Sequence, residues 1–264
     1  MKKIIMVLFV ISVLLVSIGM ADISAKNQKQ KFKLPKNAVE VSPGVFYLGK
    51  AIDKGEIVEG YAFMMKDSKT KVVRKPSPPT ESSCYGFLAT GAKWKTAESY
   101  IVDPTNQGNL DEGIIRSNLA LDISKWENSA NYNILGDEVA GDVDENNIGN
   151  LNNKNEVMFG DIDGQGVIGV TIVWGIFGGR PNKRVLVEWD MIFDDADFDW
   201  SLSGEAGKMD FENIATHELG HAVGMDDLYE TTCSEMTMYG YADNGETKKR
   251  TLETGDILGI QKLY

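Results

Sequence analysis

The sequence has few cysteines, few histidines and little concentrated basic charge. It contains 27 Lys and Arg against 39 Asp and Glu, which gives a formal net charge of −12, and its basic residues cluster mainly within 69–75. Because nucleic-acid phosphates are bound by concentrated Lys and Arg, this charge distribution argues against a nucleic-acid partner. With only two cysteines, folding has to rest on a hydrophobic core, and 264 residues are enough to bury one.

A hydrophobic run at residues 4–18 follows Lys2 and Lys3 and ends in small residues such as Ala21. This layout predicts a secretory signal peptide over residues 1–21, and a retained N-terminal anchor is the alternative. Either interpretation exports the chain, so we expect a secreted, extracellular protein with no membrane span after cleavage. Since the exported chain meets an oxidising environment, Cys84 and Cys233 are predicted to form a disulfide.

Residues 22–83 are interpreted as a pro-region and linker. Short β-like runs occupy 39–65, and the prolines at 76–79 can continue neither a helix nor a central strand. A main domain is therefore expected over residues 84–264. Its patterns predict strands over 99–102, 157–159, 167–174 and 184–193, and helices over 110–128, over 211–224 and from 254 onward.

The helix predicted from residue 211 carries both histidines of the sequence, His217 and His221, four residues apart. Residues at this spacing share one helix face, so both imidazoles can reach one zinc ion at roughly 2.0–2.1 Å. Glu218 follows the first histidine, where its carboxylate can take a proton from a water at the open coordination position. The alternatives are a solvated surface helix and a structural metal site.

Gly224 and Asp227 continue this motif, and the whole stretch resembles the metzincin metallopeptidases. Their extended motif ends in a third histidine, where this chain has Asp227. Carboxylate oxygen is also a zinc ligand, so the resemblance implies Asp227 as the third ligand, with Asp226 as the less favoured donor.

Within the metzincins the sequence is most similar to the matrixins. Their methionine-containing turn corresponds to Met238, and their specificity pocket corresponds to Tyr239 and Tyr241, with Gly240 where they have proline. Residues 256–264 reproduce their C-terminal helix. The resemblance implies an α+β catalytic domain with a twisted mixed β-sheet, two long helices and a small C-terminal subdomain ending in a helix. Peptide or protein substrates would lie extended along an edge strand.

Matrixins also carry structural calcium, and their calcium-binding segments resemble residues 163–166 and 193–197 here. The resemblance implies Asp163, Asp194 and Asp197 as calcium ligands, and solvated acidic turns are the equal alternative. Their structural zinc site needs histidines that this sequence lacks. Cys84 also invites comparison with the cysteine that keeps matrixin pro-forms latent, although the residues around it do not follow that pattern.

Together these residues predict a secreted zinc metalloendopeptidase that hydrolyses internal peptide bonds with Glu218 as the base. The alternative is a catalytically silent, secreted zinc-bound protein that binds peptides. A binding protein has no use for a base beside an open zinc position, so Glu218 favours the enzyme.

Overall fold

The computed structural model describes residues 31–70 and 84–264. The predicted signal peptide and the linker at 76–79 lie outside these residues. Within the described ranges, no helix combines the length and the apolar character needed to cross a membrane.

The described residues form ten β-strands and three α-helices. In chain order these are β1 (Val39–Ser42), β2 (Val45–Asp53), β3 (Glu56–Asp67), β4 (Tyr100–Asp103), α1 (Glu112–Ala130), β5 (Asn155–Gly160), β6 (Val167–Ile176), β7 (Val185–Asp194), β8 (Trp200–Ser201), β9 (Met209–Asp210), α2 (Phe211–Ala222), β10 (Tyr241–Ala242) and α3 (Thr254–Leu263). The strands and helices predicted from residue 99 onward are all present, with boundaries within two residues of those expected.

Side-chain caps set where the helices begin. The Asp111 carboxylate accepts the backbone N–H of Ile114 at the start of α1. Asp210 does the same for Asn213 at the start of α2. Such caps satisfy backbone donors that have no partner within the helix. Along α1, the apolar residues at helical spacing that predict this helix are buried, namely Ile115, Leu119, Ile123 and Trp126.

Eight of the described strands form one mixed sheet in the order β1-β2-β3-β6-β7-β5-β4, with β10 beside β3. The pairs β4–β5, β5–β7 and β10–β3 are parallel. The pairs β1–β2, β2–β3, β3–β6 and β6–β7 are antiparallel. The predicted α+β class and mixed sheet are confirmed, and α1, α2 and α3 have 19, 12 and 10 residues.

Each face of the sheet has its own hydrophobic core. One core packs the sheet against α1 and α2 and includes Trp126, Trp189 and Leu219. The other contains Ile148 and Ile172, with Phe32 packed against it. Helix α2 thereby lies directly against the sheet, where β6 and β7 run beneath it.

The sheet extends across the boundary that we predicted between the pro-region and the catalytic domain. Strands β1–β3 precede residue 84, yet β3 pairs with β6 through eight Cα partners, from Glu59 opposite Gly175 to Lys66 opposite Val167. The sheet therefore contains strands from both sides of the predicted boundary. Composition does not signal this pairing, because it joins strands far apart in the chain.

Candidate metal centre

Helix α2 presents His217, Glu218 and His221 on its buried side, and all three residues are fully buried. The helix ends where Gly224 adopts a φ of +107°, a conformation that side chains disfavour. This turn carries the chain back toward the two histidines and brings Asp227 beside them.

Backbone carbonyls fix the orientation of both imidazoles. The Nδ1 atom of His217 lies 2.7 Å from the Thr237 carbonyl oxygen, and that of His221 lies 3.0 Å from the Met225 carbonyl oxygen. A carbonyl only accepts hydrogen bonds, so each Nδ1 carries a proton, and in the neutral imidazole each Nε2 is the atom that offers a lone pair. Both rings are therefore oriented as a metal site would require.

Asp227, the predicted third ligand, lies beside the two imidazoles. Its Oδ1 atom lies 3.3 Å from His217 Nε2 and 3.6 Å from His221 Nε2. These three atoms lie within 4.8 Å of one another. Within the described part of the chain, none of them has a hydrogen-bond partner. Buried polar atoms are rarely left unpaired, so two imidazole nitrogens and one carboxylate oxygen fit a zinc ion with three protein ligands.

Glu218 lies beside this donor set and is held by β6. The Thr171 hydroxyl donates to Glu218 Oε2 at 2.5 Å, and a Cβ added at Gly169 would lie 3.0 Å from Oε1. Burial raises the pKa of the Glu218 carboxyl, and the neighbouring His217 and His221 oppose this shift. One carboxylate oxygen is thus anchored to the sheet, and the other has no partner among the described residues.

Residues 179–264 match the family model described as Matrixin. This part of the chain is matrixin-like. It is 39% identical over 74 residues to human matrilysin, across 26% of this chain and 26% of that protein. It is 35% identical over 77 residues to the Arabidopsis thaliana metalloendoproteinase 2-MMP, across 26% of this chain and 19% of that protein.

The chain thus spans about a fifth to a quarter of the length of these relatives. The predicted resemblance to the matrixins is confirmed over this stretch. The resemblance is to a family of zinc-using metallopeptidases.

The methionine turn of the matrixin-like part lies under α2. Met238 is fully buried, and a Cβ added at Gly220 would lie 2.1 Å from its sulfur atom. The Asp256 carboxylate of α3 accepts the backbone N–H groups of Thr237 (2.8 Å) and Met238 (3.2 Å). Because the Thr237 carbonyl faces His217, α3 supports the orientation of a metal ligand from a distance.

Tyr229 explains why glycine replaces the proline of the matrixin turn. A Cβ at Gly240 would lie 2.6–2.9 Å from the Tyr229 ring, so this approach requires glycine. The Tyr229 hydroxyl lies 3.0 Å from Asp227 Oδ2 and 2.7 Å from the Pro43 carbonyl oxygen. Tyr241 lines a cavity of about 80 Å³ together with Tyr229 and Gly240, and Tyr239 is buried beside it.

Cys84 and Cys233 form the predicted disulfide. The sulfur of Cys84 is therefore not available to the metal. The alternative in which this cysteine keeps the protein latent does not describe this structure.

Two of the three predicted calcium ligands, Asp163 and Asp194, have carboxylates that are engaged in other interactions. Asp163 Oδ1 lies 3.8 Å from Lys31 Nζ. Both oxygens of Asp194 accept backbone N–H groups, including that of Asp197 at 2.8 Å. Burial raises the pKa of Asp194 to about 6, although these hydrogen bonds act to lower it. The calcium site stays a prediction.

Sequence reasoning missed three residues of the site, namely Thr171, Tyr229 and Phe63. The Phe63 ring stacks on the His221 ring with centroids 4.6 Å apart and planes 20° apart. No spacing in the sequence signals these contacts for Thr171 and Phe63, because each depends on how distant strands pair. For Tyr229, the position two residues beyond Asp227 was the available signal.

Proposed function

We propose that this chain is a secreted zinc metalloendopeptidase, with His217, His221 and Asp227 holding the ion and Glu218 acting as the base. The observation that carries this proposal is the convergence of three buried, otherwise unpaired donor atoms beside a carboxylate with one unpaired oxygen. Bound zinc would supply a Lewis acid that polarises the scissile carbonyl.

The residues of the chain supply the remaining steps. Glu218 accepts the proton of the attacking water and later delivers it to the leaving amine. Thr171 holds one Glu218 oxygen, which restricts how the carboxylate can turn. The buried surroundings exclude bulk water and strengthen the electrostatic interactions within the site.

The test is cleavage of a mixed peptide library, read by mass spectrometry, with zinc-loaded full-length protein. The matched control is Glu218→Gln, which keeps the shape of the side chain and removes the base. We expect internal cuts from the wild type, and loss of these cuts in Glu218→Gln at unchanged zinc content.

Two outcomes would contradict the proposal. Equal cutting by both proteins would remove Glu218 from the mechanism. Zinc binding without any cleavage, even by the Phe63→Ala variant described below, would favour the catalytically silent peptide-binding protein.

A further inference from the structure

Strand β6 is the strand of the sheet that flanks the candidate base. Thr171 on β6 binds Glu218, and Gly169 lies against the same carboxylate. An extended peptide binds a sheet by pairing with an exposed strand edge. One edge of β6 is already taken by β7. A peptide approaching Glu218 along the sheet therefore needs the opposite edge of β6.

That opposite edge is filled by β3 of the same chain. Strand β3 runs antiparallel to β6, and Phe63 is the Cα partner of Thr171. At its end, Lys66 pairs with both Val167 of β6 and Tyr241 of β10. Strand β10 directly follows the methionine turn. Strand β3 therefore pairs both with β6 and with the segment that carries this turn. An extended peptide that crossed this site would take the same position.

The hairpin formed by β2 and β3 also covers the donor set. Phe63 stacks on the ring of His221. The Pro43 carbonyl, just before β2, accepts from the hydroxyl of Tyr229, which also contacts Asp227. Phe63, Met64 and Met65 are buried. The hairpin is thus packed into the site through side chains as well as through strand pairing.

Peptides are already expected to lie along an edge strand, and we propose that the β2–β3 hairpin occupies that edge, the outer edge of β6, from within the chain. The hairpin has to leave this edge before a peptide substrate binds. The inference builds on the proposed endopeptidase function. Because Cys84 is held in a disulfide, the inhibitory contact is the strand itself and not a cysteine on the metal.

The experiment fixes the hairpin to β6 in the full-length protein. Ala62 and Ile172 are Cα partners across β3 and β6, so the pair Ala62→Cys and Ile172→Cys suits a disulfide. The control is Glu40→Cys with Phe46→Cys, which cross-links β1 to β2 without fixing either strand to β6. Phe63→Ala loosens the hairpin, and Ile52→Ala changes an exposed side chain on β2 as its control.

Two rates are measured for each protein, namely removal of zinc by EDTA and cleavage of the peptide library. We expect both rates to fall at least tenfold in the β3–β6 cross-linked protein relative to the β1–β2 cross-linked control. Both rates should rise in Phe63→Ala and stay unchanged in Ile52→Ala.

The two readouts separate this inference from the proposed function. Equal rates in the two cross-linked proteins would overturn the inference while leaving the endopeptidase intact. The expected order of EDTA rates, with no cleavage by any variant, would support the hairpin as occupant and refute the endopeptidase.

Discussion

Asp227 divides its two carboxylate oxygens between different neighbours. Oδ1 faces the two imidazole Nε2 atoms, and Oδ2 lies 3.0 Å from the Tyr229 hydroxyl. Asp226, the adjacent acid, accepts the Asp227 N–H at 3.0 Å and does not belong to the donor group. The geometry thus separates Asp227 from Asp226 as a candidate zinc ligand, whereas the motif position only made Asp227 the favoured one.

Replacing Asp227 by Asn should weaken zinc binding by more than the roughly 10–100-fold that loss of an outer partner costs. An amide is not among the usual zinc ligands, whereas carboxylate oxygen is. Zinc affinity is measured by competition with a chromogenic chelator, and Asp226→Asn is the matched control. If both variants bind zinc as the wild type does, Asp227 is not a ligand.

Removing the Tyr229 hydroxyl should weaken zinc binding about 10–100-fold, since an outer partner of a ligand typically has this effect. In Tyr229→Phe the buried Oδ2 of Asp227 loses the hydroxyl that it contacts, so the orientation of the carboxylate is less restricted. The same competition assay applies, with Tyr241→Phe as the control from the same aromatic cluster. Equal affinities in the two variants would show that Tyr229 only packs against Gly240.

The sequence predicted some of these residues because their spacing along one helix fixes their geometry. His217, Glu218 and His221 share a turn of α2, and Asp227 follows within six residues of it. Thr171 reaches Glu218 across 47 positions of the chain, and Phe63 reaches His221 across an even longer separation. Such contacts depend on strand order, which local periodicity does not encode.

Strand β7 carries two buried acids, Glu188 and Asp190, in the middle of the sheet. Glu188 accepts the backbone N–H of Asn152 at 3.0 Å and also that of Asn153. Burial raises its pKa to about 7, although these hydrogen bonds oppose the shift. The strand therefore holds a proton that the unfolded chain releases at lower pH.

The sign of the resulting pH dependence follows from linkage. The folded pKa of Glu188 is raised, so its contribution to stability is present in full below the unfolded pKa of 4.5 and is lost as pH rises through about 7. In Glu188→Gln this contribution is absent. Between pH 4 and pH 8, the wild type should lose about 3 kcal/mol more unfolding free energy than the variant.

Urea unfolding of the metal-free protein at both pH values measures this difference. Asp122 is present in both proteins and cancels in the comparison. Burial and the neighbouring Glu188 both raise the pKa of Asp190, so the measured difference includes the response of Asp190 to the loss of Glu188. Parallel pH dependence in the two proteins would show that Glu188 is already ionised in the fold.

At the scale of elements, the sequence predicted the helices and strands that are determined by residues close together in the chain. An apolar stripe marked α1, a capping aspartate marked α2, and β-branched runs marked β6 and β7. It did not predict that β3 would pair with β6. An apolar, alternating strand is compatible with several neighbours, and the choice is made by packing across the whole sheet.

At the scale of the whole molecule, the disulfide closes a loop of sequence separation 149. That loop contains β4–β9, α1 and α2, and with them both histidines and Glu218. A cross-link that spans so much of the chain restricts the unfolded state strongly. Asp227 also lies inside this loop, whereas Met238 lies just beyond it.

Replacing both cysteines by alanine should lower the unfolding free energy by about 2–5 kcal/mol. Urea unfolding of the zinc-free protein measures this loss, with the oxidised wild type as reference. Zinc affinity of the folded double variant should stay within about threefold of the wild type, because no ligand position depends directly on the cross-link.

The separation of these two effects follows from how the ligands are held. The Thr237 carbonyl that orients His217 is positioned by Asp256 of α3, and the Met225 carbonyl that orients His221 lies at the end of α2. Neither contact passes through Cys84 or Cys233. Cys233 does contact the segment before the methionine turn, because its carbonyl accepts the Met236 N–H at 3.0 Å. A large loss of zinc affinity in the folded double variant would therefore mean that the cross-link also positions the methionine turn.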